Sequence, residues 1–193
     1  MDSRGLPFWR SSLLLLVLIS GLVFSLSASR VGLWEALLPL FEWMETTWLG
    51  YVGKTWGAAF AVVQALHLLS MALLGGAVLL CDARLLGLAF TDVAIPEVWR
   101  QTHRLFVVAL IGVIASGVFM ACGVALKIYY LEVFWYKMLA LTVGVLFVFL
   151  VKKPLLQQDG RVPARALCAA LGATSLMLWF TVAATGRWIG FSG

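Results

Sequence analysis

Charged side chains are scarce in this chain. Asp, Glu, Lys and Arg make up 12% of its 193 residues, while 63% are hydrophobic. A soluble domain carries about 25% charged and about 45–50% apolar residues. A chain this small leaves too much of its surface in water to hide such an excess in a core. The shortage of charge excludes a soluble globular domain and makes the chain an integral membrane protein. Cysteine is scarce too: Cys81, Cys122 and Cys168 are the only three, with no CxxC spacing. That argues against a disulfide framework and a zinc knuckle. There is no nucleophile elbow, no phosphate loop and no HExxH, so no soluble-enzyme chemistry is legible.

The charge that is present has a pattern. The net charge is +5, but the basic residues sit at the ends of apolar segments, where they face headgroups. No basic run interleaves with stacking aromatics, so the partner is a lipid bilayer and not nucleic acid. The nine Trp suit the two interfacial belts.

A spanning helix needs about 20 mainly apolar residues. Five segments qualify or nearly so: Ser12–Ala28, Gly57–Cys81 (running on through Asp82 and Arg84), Phe106–Ile128, Val133–Val151 and Ala166–Arg187. Lys152, Lys153 and Pro154 close the fourth. In the first, Arg4 and Arg10 precede an apolar run ending in small residues, which is also the pattern of a cleaved signal peptide. A retained anchor is the expectation, and cleavage would leave four helices. Between the first two spans, Trp34, Leu37, Leu38, Phe41, Met44 and Trp48 recur at helical spacing, with Glu35, Glu42 and Glu45 mostly elsewhere. Such a helix lies in the interface plane, and Pro39 should divide or kink it. The expected fold is an all-α integral membrane protein with five transmembrane helices. Residues 1–30 form the anchor, 31–51 an outer-face amphipathic helix and 52–193 a four-helix bundle.

Orientation follows from Lys and Arg. Nine lie on the side of Arg4, Arg84 and Lys152, and five on the side of Arg30, Lys54, Lys127, Lys137 and Arg187. That puts the N-terminus in the cytoplasm and the C-terminus in the periplasm of a bacterial inner membrane.

Polar groups at membrane depth are functional candidates by default. His67 sits at ~15 Å depth from the helical rise, and shares a helical face with Gln64, Ser70 and Met71. Its bland alternative is a structural hydrogen bond to a neighbouring helix. His103, in WRQTHRL, falls just outside the inner end of the third span. It reads first as an interfacial residue, and second as the inner edge of a quinone, haem-propionate or partner site. The two histidines should be ~20 Å apart along the membrane normal, too far to share one iron. Met120 and Met177 fall at ~12–15 Å depth, close to that of His67. Histidine and methionine ligate haem iron or Cu(I), although methionine also serves as plain packing. Gly75–Gly76, Gly112, Ser116 and Gly117 would admit a close backbone or a flat macrocycle. Thr174, Thr181 and Thr185 should point inwards and bond across helices.

HLLSMALLGGAVLLCDARLLGL, RLFVVALIGVIASGVFM and FWYKMLALTVGVLFVFLVKK together resemble the copper-resistance D type of membrane domain. They are also similar to a related group of small uncharacterised bacterial membrane proteins. The resemblance rests on His67, Gly75–Gly76, Asp82–Gly87 and Lys137, and covers about residues 57–153. It implies a four-helix membrane bundle whose relatives touch copper import or b-type haem. A diheme bundle of the cytochrome b561 type would need four histidines and is excluded.

Three functions follow. The first is a redox subunit holding one b-type haem on His67, with Met177 or Met120 opposite, or a quinone near His67 and Gln64, exchanging electrons with a partner. The second is a copper-handling protein using His67, Met177 and Met120. The third is a non-catalytic accessory subunit of a larger membrane complex.

Overall fold

A run of apolar residues in lipid must satisfy every backbone N–H and C=O internally, and a helix does so. In the computed structural model the described residues are 29–157 and 164–192, with Ser12, Leu16 and Ile19. Apart from short connections such as 87–94 they are helical, with no strand among the described residues. Four helices are long and apolar enough to cross a membrane. The predicted first span falls outside the described residues apart from those three positions.

In chain order the helices are α1 Ser29–Thr46, α2 Trp48–Thr55, α3 Gly57–Leu86, α4 Ile95–Gly123 and α5 Ala125–Tyr129. The last two are α6, Glu132–Leu156, and α7, Arg165–Ile189. The spans are α3, α4, α6 and α7. Helix α3 stops at Gly87, whose φ of 73° is left-handed and cheap only for glycine. Leu88 N–H closes the turn on the Ala83 carbonyl at 2.9 Å. Helix α4 begins eleven residues before its predicted start at Phe106, with Pro96 in its first turn, where a missing N–H costs nothing.

Lys152 does not end the fourth span at the headgroups. Helix α6 passes through a π-helical stretch, Phe147–Lys152, and continues for one more turn. The wider turn makes room for Pro154, whose ring would otherwise meet the carbonyl four residues earlier. It also aims Lys152 inwards. Lys152 Nζ donates to Asp82 Oδ1 at 2.5 Å and to Ser175 Oγ at 3.2 Å, and lies 5.9 Å over the Trp99 ring. Asp82 and Ser175 are fully buried and Lys152 is 2% exposed. One ammonium thus touches side chains from all three other spans.

Helix α3 packs against α4 and α7, and α6 against α7. Burial is concentrated at the ion-pair end. Helix α3 buries nothing before Leu74, α6 nothing before Gly144, and α7 nothing beyond Val182. At the other end, which carries His67, the spans stand looser.

That end is covered by α1, α2 and α5. Pro39 lies inside α1 without dividing it, and the break comes at Thr47, which caps α2 by accepting from Gly50 N–H at 3.2 Å. The apolar stripe of α1 faces protein: Trp34 and Phe41 pack on Tyr129 and Trp135. Trp48, expected on that stripe, is 73% exposed because α2 starts there on a new axis. A Cβ on Gly53 would come 2.9 Å from Gly123 Cα, so α2 and α4 touch backbone to backbone. Glu45 pairs with Lys54 and accepts the Leu126 N–H at 2.9 Å. Burial alone would raise its carboxyl, but the Lys54 and Leu126 contacts outweigh that and hold its pKa below the usual value.

Two outcomes follow. Lys152→Met should cost about 3–5 kcal/mol of stability, because it leaves Asp82 buried and unpaired, whereas the double variant with Asp82→Leu should regain most of it. Unfolding in mixed micelles measures both. The docked carboxyl of Glu45 binds a proton less readily than a free one. Its contribution to docking is therefore full above the ordinary carboxylate range and fades as pH falls through the lowered pKa. Fluorine NMR of fluorotryptophan at Trp34 and Trp135 should show acid release of α1, and Glu45→Gln should remove that pH dependence.

Candidate functional site

His67 is half-buried on the loose half of α3. Its Nδ1 lies 2.8 Å from Ser116 Oγ on α4. The Ser116 hydroxyl donates to the Gly112 carbonyl at 2.5 Å. A hydroxyl has one proton, so Ser116 receives rather than gives at His67. The Val113 carbonyl is a further acceptor beside the ring. With the Ser116 proton committed to the Gly112 carbonyl, the arrangement favours the imidazole proton on Nδ1, which would leave the Nε2 lone pair free. This is how a metal-ligating histidine is commonly held. Small residues make room: a Cβ on Gly117 would sit 3.4 Å from His67 Cε1.

Lys137 approaches His67 from α6, close enough to act on it electrostatically. A Cβ on Gly186 of α7 would lie 3.5 Å from Lys137 Cε. Lys137 has no hydrogen-bond or ion-pair partner among the described residues. An imidazole and an amine from different helices thus lie near one another at this loose end.

The other sequence candidates are not gathered here. Gln64 is exposed. Met120 is half-buried, one turn beyond Ser116 on α4. Met177 does not oppose His67. It lies two residues past Ser175, which is level with Asp82 through Lys152. That places it ~20 Å along α3 from His67 by the helical rise, and its side chain is 72% exposed. Counting inwards from Arg187 misplaced it, because α7 is set further towards the ion-pair end than α3. His103 lies well inside α4, not outside it, because the helix starts at Ile95. Its ring stacks on Trp99 at 4.6 Å, far from His67 as expected. Thr181 and Thr185 donate to carbonyls of their own helix, whereas Ser175 of α7 bonds across helices to Lys152.

Sequence reasoning missed Ser116 and Lys137 as parts of the site. In the sequence Ser116 reads only as a small residue, and Lys137 as a flanking cation and a mark of the resemblance, not as a neighbour of His67. The signal available was a polar residue on each facing span.

A family model matches residues 40–192. It covers most of the chain, including all four spans. The chain belongs to DUF6644, a family of unknown function. Comparison with curated proteins and with solved structures gives no match. The part of this DUF6644 chain that the family model covers contains both His67 and the Asp82–Lys152 pair.

Ser116→Ala should remove the acceptor that orients His67. Nitrogen NMR of histidine-labelled protein should then show a mixture of tautomers where the parent shows Nδ1–H alone.

Proposed function

We propose that this chain is a membrane redox subunit that holds one b-type haem through His67 and exchanges electrons with a membrane partner. The observation that carries the reading is the 2.8 Å contact between His67 Nδ1 and Ser116 Oγ; with the Ser116 proton on the Gly112 carbonyl, it assigns the ring proton to Nδ1 and the lone pair to Nε2. An unprotonated nitrogen suits an iron atom. A quinone carbonyl would need a donor there, and His67 has none to give. Haem would supply one-electron chemistry, and the protein would tune it through the axial nitrogen and the dielectric around it.

The residues fit in three respects. His67 offers one axial nitrogen, Lys137 offers a cation for a propionate, and Gly117 and Gly186 keep the flanking backbones low. Met120 is the thioether on the facing helix and the candidate second ligand. Copper is served less well. Met177, one of its three expected ligands, lies ~20 Å along the bundle from His67 and is exposed, and Lys137 places a cation beside the imidazole. The lipid orientation stays with the N-terminus in the cytoplasm: removing Lys152 and Lys137 from the charge count leaves eight against four.

The test is a reduced-minus-oxidised visible spectrum of protein expressed with ample haem. Soret and alpha bands are expected, lost in His67→Ala and shifted in Met120→Leu. A colourless protein that is nevertheless folded would sink the reading.

A further inference from the structure

Beyond the ion pair, the tip of the bundle carries an open cavity of about 570 Å³. The last turn of α3 supplies Arg84 to its wall, the connection to α4 supplies Thr91, and the start of α7 supplies Arg165 and Ala169. Helix α3 has 30 residues, which make about 45 Å by the helical rise. That is about the thickness of a bilayer with its headgroups. An α3 that crosses the bilayer therefore brings its last turn, and this cavity, to headgroup level.

Neither arginine has an acidic partner among the described residues. Arg84 Nε donates to the Val93 carbonyl at 2.7 Å, and its Nη2 to the Thr91 carbonyl at 3.4 Å. These neutral acceptors hold the side chain in place and leave its charge uncompensated. Arg84 also lies close enough to Cys168 of α7 to act on it electrostatically. Arg165 makes no side-chain hydrogen bond or ion pair among the described residues. Glu97 is taken by Arg100 and Gln101, and exposed Asp92 pairs with neither cavity arginine. The first N–H groups of α7 have no intrahelical partner and no side-chain cap, so the positive end of that helix adds to the two guanidiniums.

A cavity lined in this way favours an anion, and its surroundings say which kind. Leu88 is 78% exposed, Phe90 47% and Leu167 41%, all within a few residues of the wall. A small soluble anion has no use for such a rim, whereas a lipid does. We propose that this cavity binds the phosphodiester headgroup of an anionic phospholipid between Arg84 and Arg165, with the apolar part of the lipid against Leu88, Phe90 and Leu167. A guanidinium fork matches two phosphate oxygens. Arg84 is already held by its carbonyl bonds, so less side-chain freedom is lost on binding. A phosphatidylcholine headgroup carries its own cation, which the two arginines repel, so the site selects phosphatidylglycerol over phosphatidylcholine. The site stands apart from His67 and does not depend on a haem there.

Electron spin resonance of the protein in phosphatidylcholine bilayers, with spin-labelled phosphatidylglycerol or spin-labelled phosphatidylcholine as probe, reads the selection directly. A severalfold preference for phosphatidylglycerol is expected. Arg165→Gln should lower it severalfold, and so should Ala169→Leu, which keeps both charges but fills the cavity. Circular dichroism checks that each variant is folded. Arg84→Gln should act in the same direction, but it also removes two bonds of the connection to α4, so Arg165→Gln carries the test. Arg100 and Arg104 are exposed on α4 and outside the cavity wall. The double variant Arg100→Gln with Arg104→Gln should therefore leave the preference largely intact. Equal association of the two lipids with the parent protein would overturn the proposal. So would a preference that survives in Arg165→Gln or in folded Ala169→Leu, or one lost equally in the Arg100 and Arg104 variant. Displacement of the lipid by millimolar inorganic phosphate would overturn it too, by making a free anion the ligand.

Discussion

The ion pair between Lys152 and Asp82 is the contact on which the arrangement of the spans depends. In lipid, helices gain nothing from hiding apolar surface from one another, because the tails are as apolar as the side chains. Small-residue packing and polar contacts are left to choose the neighbours. Here one ammonium meets a carboxylate of α3, a hydroxyl of α7 and the ring of a tryptophan on α4. An ion pair taken from water into a core does not stabilise much in net terms. Its force is that no other arrangement leaves both charges paired. A rotation of α6 by one residue would strand Lys152 against lipid and Asp82 inside. The π-helical stretch that ends at Lys152 supports this view, since it departs from regular helix at the place where the pair is made.

The two ends of the bundle then play different parts. The ion-pair end is closed by large buried side chains such as Trp99, Phe106, Leu156 and Trp179. The His67 end is closed only from above, by an aromatic cluster of α1, α5 and the start of α6. Between these lids and the core lies a zone where α3, α6 and the far part of α7 bury nothing. A flat ligand needs such a zone, and a bundle packed evenly along its length would have none.

Much of this was legible in the residues. Four apolar runs, the amphipathic stretch and the isolation of His67 from His103 all follow from helical length and period. What was not legible depends on how far each helix is shifted along its neighbours. Met177 was placed by counting from the nearer helix end, and the shift of α7 defeats that count. Lys152 looked like a headgroup residue because two lysines and a proline at the end of an apolar run normally are. Only the wider turn before Pro154 turns the first of them inwards. The role of Glu45 was hidden for another reason. Its hydrogen bond to Leu126 joins residues far apart in sequence, and nothing local to either announces it.

Helix α3 ties the two centres together. It carries His67 and Asp82 on one rod, fifteen residues apart. An α-helix turns by about 100° per residue and so brings these two within about 60° of the same face. Asp82 fixes the rotation of that rod against α6 and α7. Ser116 fixes the imidazole against α4. The direction of His67 Nε2 is then set by two contacts at different depths, neither of which touches a ligand. A helix held only at Ser116 could roll about that single hydrogen bond, and the lone pair would sweep an arc instead of pointing at one place. The buried pair is thus a structural element of the His67 site, even though it lies more than 20 Å from it along the helix by the rise of about 1.5 Å per residue.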